Sequence, residues 1–460
     1  MPRRPSRSAH RSRPVRHAVV AGAILSLALP AAATADQRRG IEGEELSGPA
    51  ISADATASGG AVALLRVSRR ARVLPTPLVA APAVRLRVGG CRGRLRIGTT
   101  TRSMRTVRLR AGWQVVSAPA DPGAPIAGVR LARPAGTAGC RHLRLDRIDV
   151  DVPPIPLAAS VLSGPMRTDA RYRKAYLDTF DGLTPENALK MNAARPTPDG
   201  YAFEDADELV DDSTAERRPV RGHTLVFDRQ LPSWLVNPLL PWTRDTLLGV
   251  LRDHVTENVA RYRGRVDRWD VVNEAVGIDG RQKTTFWSQG IGTDYIDWAF
   301  RFAHAADPTT RLVYNDAGIE RPGAHQDGVF RLLSALLARG VPVEGVGLQG
   351  HIDPSAPPTA AELDATITRF ADLGLRVEIT EADVPLGGPA TPERIAAQTE
   401  TYRRLATACW RHVACDRMTV WGVADTASWM GVKASATLLD AAYRPKPALE
   451  ATRRALAGER

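Results

Sequence analysis

From residue 157 onward one alternation recurs eight times: a short apolar run, then a longer stretch with apolar residues at helical spacing. The runs are LAASVL, DGLTPE, VRGHTLVF, RWDVVNE, RLVYNDAG, GVGLQGH, RVEITEADV and MTVWGVAD. TRDTLLGVLRDHVTENVARYRG and DGVFRLLSALLARG are typical of the stretches between them. Strand–helix alternation implies a parallel sheet covered by helices. Eight such units in about 300 residues fit one closed (β/α)8 barrel. The expected fold is therefore α/β, a TIM barrel over residues 156–460.

The part before the barrel follows other rules. Residues 1–17 are basic and broken by Pro, and an apolar run and the small residues Ala33-Thr34-Ala35 follow. That order is a secretory signal, expected to end at Ala35. A membrane anchor is the alternative, but Pro30 interrupts a run already shorter than the ~20 residues of a span. No later stretch is long and apolar enough to cross a bilayer. Residues 36–60 are small and polar and read as a linker. Residues 61–155 carry short alternating runs such as AVRLRV, RLRIGT and HLRLDRIDVDV, separated by Gly and Pro. They predict a small all-β sandwich, with VPPIP at 152–156 as a stiff boundary.

Export bears on the cysteines. An oxidising compartment favours bridges, and pairing Cys91 with Cys140 and Cys409 with Cys415 keeps each bridge within one predicted domain. No His or Cys joins either pair at zinc spacing, so no metal site is expected. The net charge of +12 is uneven. Residues 1–35 carry +6, residues 36–155 carry +11 and the barrel carries −5. A basic front half suggests nucleic acid, but the strict apolar–Arg alternation instead puts Arg on the solvent face of strands. No nucleic-acid partner is expected. Attraction to acidic polysaccharide or an anionic wall is left open.

Barrel sites lie at the C-terminal ends of the strands, and here those ends are polar. The second run leads into Glu186-Asn187. The third carries His223 and ends at Phe227-Asp228. The fourth ends Asn273-Glu274 and the fifth Asn315-Asp316. The sixth ends Gln349-Gly350-His351, and the seventh holds Glu381 and Asp383. The eighth ends near Asp425, with Trp429 beyond. Any single strand-end acid is readily explained as a helix cap. The recurrence around one rim is not. Two carboxylates across a barrel mouth suit glycoside hydrolysis, where one protonates the leaving oxygen and the other attacks the sugar or activates water. Glu274 suits the acid/base. Glu381 suits the nucleophile, with His351 and Asp383 to orient it and keep it ionised.

The segments WDVVNEA, ITEAD, RGHTLVF, TPENALK, GLQGHID and VWGVADTASW resemble the strand ends of glycoside hydrolase family 10, the (β/α)8 xylanases. The resemblance runs in order from about Leu157 to Ala457. It implies a retaining, cofactor-free enzyme that cuts β-1,4-xylan internally. It assigns acid/base and nucleophile to Glu274 and Glu381. It puts Asn273, His223, Gln349 and His351 around the cleaved sugar, with Asp383 behind the histidine. It puts Asn187, Lys190 and Gln230 at the next sugar on the non-reducing side. Trp421 and Trp429 become aromatic walls. The family pattern is altered at Met191, Phe227, Asp228, Ala317, Ala382 and Met430, which bears on sugar preference. The bland readings are a core Trp421, a core His223, a solvated Asp228 and a surface Lys190. Residues 61–152 faintly resemble jelly-roll carbohydrate-binding modules, with Trp113 as the one stacking platform. The expected product is a secreted monomer with a polysaccharide substrate. The alternatives are a barrel hydrolase for another β-glycan and a non-catalytic glycan-binding protein.

Overall fold

The computed structural model describes residues 154–237, 239, 242–412 and 414–459. Before these it describes 41–42, 51–53, 61–66, 72–79, 83–89, 93–98, 104–109, 114–119, 126–132 and 142–150. The expected signal at 1–35, the Cys91–Cys140 pair and Trp113 lie outside the described residues.

Each of the eight predicted runs overlaps one strand. The strands are β1 (Leu157–Val161), β2 (Gly182–Pro185), β3 (Val220–Gly222), β4 (Val266–Asn273), β5 (Arg311–Asp316), β6 (Gly345–Leu348), β7 (Arg376–Ala382) and β8 (Cys415–Val420), with β4 and β8 beginning two and three residues before their runs. They close in sequence order into a barrel in which every pairing is parallel and β8 returns to β1. Helices fill the connections, as the pattern predicts. Helix Arg244–Arg261 shows why they form. Thr243 closes a capping box with Thr246, and Leu247, Leu251, Val255 and Val259 are buried along one stripe. That stripe is the 3.6-residue period written in the sequence.

The third run departs from expectation, since its strand ends at Gly222 rather than continuing to Phe227. The chain past Gly222 still leans on β4. Leu225 and Val226 donate their N–H groups to Asp270 and Val271 at 3.0 Å. Gly222 has a packing reason: a Cβ there would lie 2.1 Å from the Trp269 ring. Only a glycine lets β3 approach β4 closely at this point.

The barrel interior beneath the rim is ionic. Arg221 is fully buried and donates to Asp270 (2.8 Å) and Glu378 (2.8 Å). Arg268 and Arg311 also face Glu378, at 2.6 and 3.0 Å. Cys409, on helix Pro392–Arg411, is bridged to Cys415 at the start of β8, as expected. No helix of the described residues is long and apolar enough to cross a membrane.

The strands before residue 151 form two antiparallel sheets. One contains Ile51–Ala53, Ala61–Arg66, His142–Val150, Ala83–Gly89 and Gln114–Pro119, with Ile41–Glu42 beside His142–Val150. The other runs Arg72–Val79, Ile126–Ala132, Gly93–Gly98, Arg105–Leu109. Two short strands thus fall inside the stretch read as a linker. The Arg alternation is as predicted at Gly93–Gly98, where Leu95 and Ile97 are buried and Arg94 and Arg96 exposed.

Candidate active site

The C-terminal strand ends converge as the polar run-ends suggest. β4 delivers Asn273 and, one residue past the strand, Glu274. Glu274 has a left-handed backbone, φ 55°. Its N–H donates to Asn315 O at 2.8 Å, and the next N–H, of Ala275, donates to the Tyr314 hydroxyl at 3.0 Å. The turn that aims Glu274 is therefore braced by β5. β7 delivers Glu381, whose N–H donates to Gln349 O at 2.7 Å.

Three neutral amides join the two carboxylates. Gln349 Nε2 donates to Glu274 Oε1 (3.2 Å) and Asn273 Oδ1 (3.3 Å). Asn315 Nδ2 donates to Asn273 Oδ1 (2.8 Å) and Glu381 Oε1 (2.6 Å). Thr380 Oγ1 donates to Asn315 Oδ1 at 2.6 Å and fixes which end of that amide faces Glu381. Asn315 has room because the facing residue is Gly347, where a Cβ would lie 2.1 Å from Asn315 Oδ1.

The environments of the two acids differ. Glu381 is almost fully buried. Burial pushes its carboxyl up, but His223, His351 and the Asn315 amide outweigh that and hold it down at about 2. His351 Nε2 lies 3.4 Å from Glu381 Oε2. His351 Nδ1 lies 2.9 Å from Asp383 Oδ2, close enough for an ion pair though off the line of a well-aimed hydrogen bond. Burial alone would lower the imidazole; Asp383 and Glu381 together raise it to about 10. Asp383 also accepts from Trp429 Nε1 at 2.7 Å, so a single carboxylate orients the histidine and the exposed indole. His223 Nδ1 sits 2.9 Å from Asp270, which Arg221 also grips from below. Glu274 is more open and has cations beside it, Lys283 Nζ at 3.6 Å and Arg229 at 3.9 Å from Oε2.

The remaining predicted residues gather at the first strands. Lys190 Nζ donates to Asn187 Oδ1 at 3.0 Å, and Gln230 Nε2 approaches the same oxygen at 3.5 Å. Lys190 also lies 5.9 Å from the centre of the Trp421 ring, so it is tied into the rim rather than being a free surface charge. Burial lowers its pKa. Trp421 is buried and meets His223 edge-on at 5.0 Å. Trp429 is 60% exposed, a stacking face open to solvent. Asp228 is exposed, in keeping with its solvated reading, and Met191 is buried. The sequence reading put Asn315 at the rim without a role, and passed over Thr380, Asp270, Arg221, Lys283 and Arg229. Asn315 was visible as a polar strand end, but its link to both acids depends on Gly347 and Thr380 from neighbouring strands. Among the described residues no group of His, Cys, Asp and Glu could hold a metal ion.

A closed (β/α)8 barrel whose rim holds one buried, ionised carboxylate and a second, more open one, joined through amides, defines the class of barrel glycoside hydrolases. The relatives narrow the class. The chain belongs to glycosyl hydrolase family 10, whose model matches residues 155–455. Endo-1,4-beta-xylanase A of Fusarium oxysporum f. sp. lycopersici is 37% identical over 281 residues, 59% of this chain and 85% of the relative. Endo-1,4-beta-xylanase B of Thermotoga neapolitana is 37% identical over 289 residues, 62% of this chain and 82% of the relative. The crystal structure of xylanase 10B from Thermotoga petrophila RKU-1 with xylobiose superposes with a TM-score of 0.63 at 35% identity, covering 66% of this chain and 94% of that one.

Proposed function

We propose that this glycoside hydrolase is a secreted, retaining endo-β-1,4-xylanase, with Glu381 as nucleophile and Glu274 as acid/base. Glu381 attacks the anomeric carbon while Glu274 gives its proton to the departing glycosidic oxygen. A glycosyl ester of Glu381 forms and the glycosidic bond breaks. Glu274, now ionised, takes a proton from water, whose oxygen displaces the ester and releases Glu381. The observation that carries the reading is the environment of Glu381: ionised, buried, and held by Asn315 and two histidines. A nucleophile must be anionic at working pH. Glu274, more open and held through Gln349, suits a group that must exchange protons with water. Asn273, with its oxygen occupied by two amide donors, keeps its NH2 for a sugar hydroxyl. Asn187, Lys190 and Gln230 form a polar cluster for the next sugar, and Trp429 supplies an exposed stacking face. The names of the relatives support xylan as the substrate, and the signal-like residues 1–35 support export.

The test is release of reducing sugar from xylan by the wild type and by Glu381→Ala. The variant is expected to lose at least ~10³-fold in kcat. Proton NMR at early times is expected to show the β-anomer first. The α-anomer would overturn retention, and unchanged turnover would overturn Glu381 as nucleophile. The half-buried Phe227 and exposed Asp228 favour a second reading in which the glycan differs. Faster hydrolysis of a β-glucan or β-mannan than of xylan would establish it.

A further inference from the structure

The strands Gly93–Gly98 and Arg105–Leu109 pair antiparallel, with Arg94 opposite Arg108 and Arg96 opposite Thr106. Leu95, Ile97 and Leu109 are buried, and Arg94, Arg96 and Arg108 are exposed. Three guanidinium groups therefore belong to one outer face. Opposed residues lie about 5 Å apart and same-face neighbours along a strand about 7 Å apart. Like charges directly opposite weaken a sheet. The stretch that holds both strands is itself uniformly cationic: residues 61–110 hold thirteen Arg and no Asp or Glu. The barrel, residues 156–460, has 36 Lys and Arg against 41 Asp and Glu. The positive field of the mature chain is thus confined to the region that lacks the catalytic groups.

We propose that this Arg94–Arg96–Arg108 face binds carboxylated polysaccharide, specifically xylan carrying uronic acid side groups. The choice of partner rests on the proposed xylanase reading; the cationic face does not. A guanidinium fork matches a carboxylate with two parallel hydrogen bonds. One exposed pair contributes little on its own. The face therefore holds a polymer that offers many uronates at once and ignores a short oligosaccharide. Such contact raises the local concentration of chain near the hydrolase without touching the catalytic groups.

The full chain is tested by affinity electrophoresis in glucuronoxylan and in the same polymer with its carboxyls reduced to alcohols. The wild type is expected to be retarded by the first only, with retardation falling about tenfold between 50 and 500 mM NaCl as screening sets in. Arg94→Gln/Arg96→Gln/Arg108→Gln is expected to lose the retardation while keeping the wild-type kcat/KM on unsubstituted xylo-oligosaccharide. Equal retardation by the reduced polymer overturns the proposal, as does an unchanged triple variant. Stronger retardation by a polyphosphate wall polymer than by glucuronoxylan overturns the choice of partner. The comparison of the two polymers uses the wild type alone, so it stands if the variant does not fold. Failure to cleave neutral xylan would sink the enzymatic reading without bearing on these outcomes.

Discussion

The pair Glu381–His351 is where single residues determine pH behaviour. Glu381 is lowered from 4.5 to about 2, and His351 is raised from 6.5 to about 10. A depressed carboxylate stabilises the fold above its ordinary pKa, and that contribution is lost as pH falls through about 2. A raised imidazole stabilises below its ordinary pKa and is lost as pH rises through about 10. Their shared contribution is fully present between 4.5 and 6.5. Removing the cation must let the Glu381 carboxyl rise. His351→Asn is expected to move the acidic limb of the kcat/KM profile to higher pH, measured on soluble xylan. An unmoved limb would mean that His351 has no electrostatic part. At this scale the sequence was informative about Glu274, Glu381, His223, His351 and Asp383, because each ends or follows a strand. It was silent on Arg221 and Asp270, which sit mid-strand, and nothing local marks a buried guanidinium as the support of His223.

Among the elements, β5 braces Glu274, the proposed acid/base, although it supplies neither acid. Its Tyr314 hydroxyl accepts the Ala275 N–H at 3.0 Å and donates to Asp316 at 2.5 Å. Tyr314→Phe leaves the Ala275 N–H without its acceptor and loosens the Glu274 turn. The expected outcome is a loss of roughly tenfold in kcat on xylan, a fraction of the 10²–10⁴ that a general acid contributes. An aryl xyloside with a good leaving group needs little acid assistance in the first step, so formation of its glycosyl-enzyme should change far less. Equal losses on both substrates would reduce Tyr314 to a structural residue. The eight strands were legible because each apolar run is bounded by helical stretches. The early end of β3 was not. It goes with the close approach of Gly222 to Trp269, a tertiary matter that periodicity cannot carry.

For the whole molecule, the covalent restraint lies at the end of the barrel opposite the rim. The Cys409–Cys415 bridge closes a short loop at the N-terminal end of β8, away from the catalytic rim. A loop that short constrains the unfolded chain by about 2 kcal/mol. Cys409→Ser/Cys415→Ser should lower the unfolding free energy by that order in urea titration while leaving kcat unchanged. The division of the chain into a basic β region and a barrel was plain in its charge and alternation. The pairing order of the front strands was not, because several short alternating runs admit many registers. The left-handed conformation of Glu274 bears on the folded state as a whole. A side chain with a Cβ is held there against a backbone preference of about 1 kcal/mol. Glu274→Gly should therefore denature at higher urea than Glu274→Ala, though both lack the carboxylate. With Glu274 as the proposed acid/base, the backbone cost at this position is borne by the same residue that carries the proton, and a screen for thermal tolerance alone would favour a glycine there at the expense of turnover.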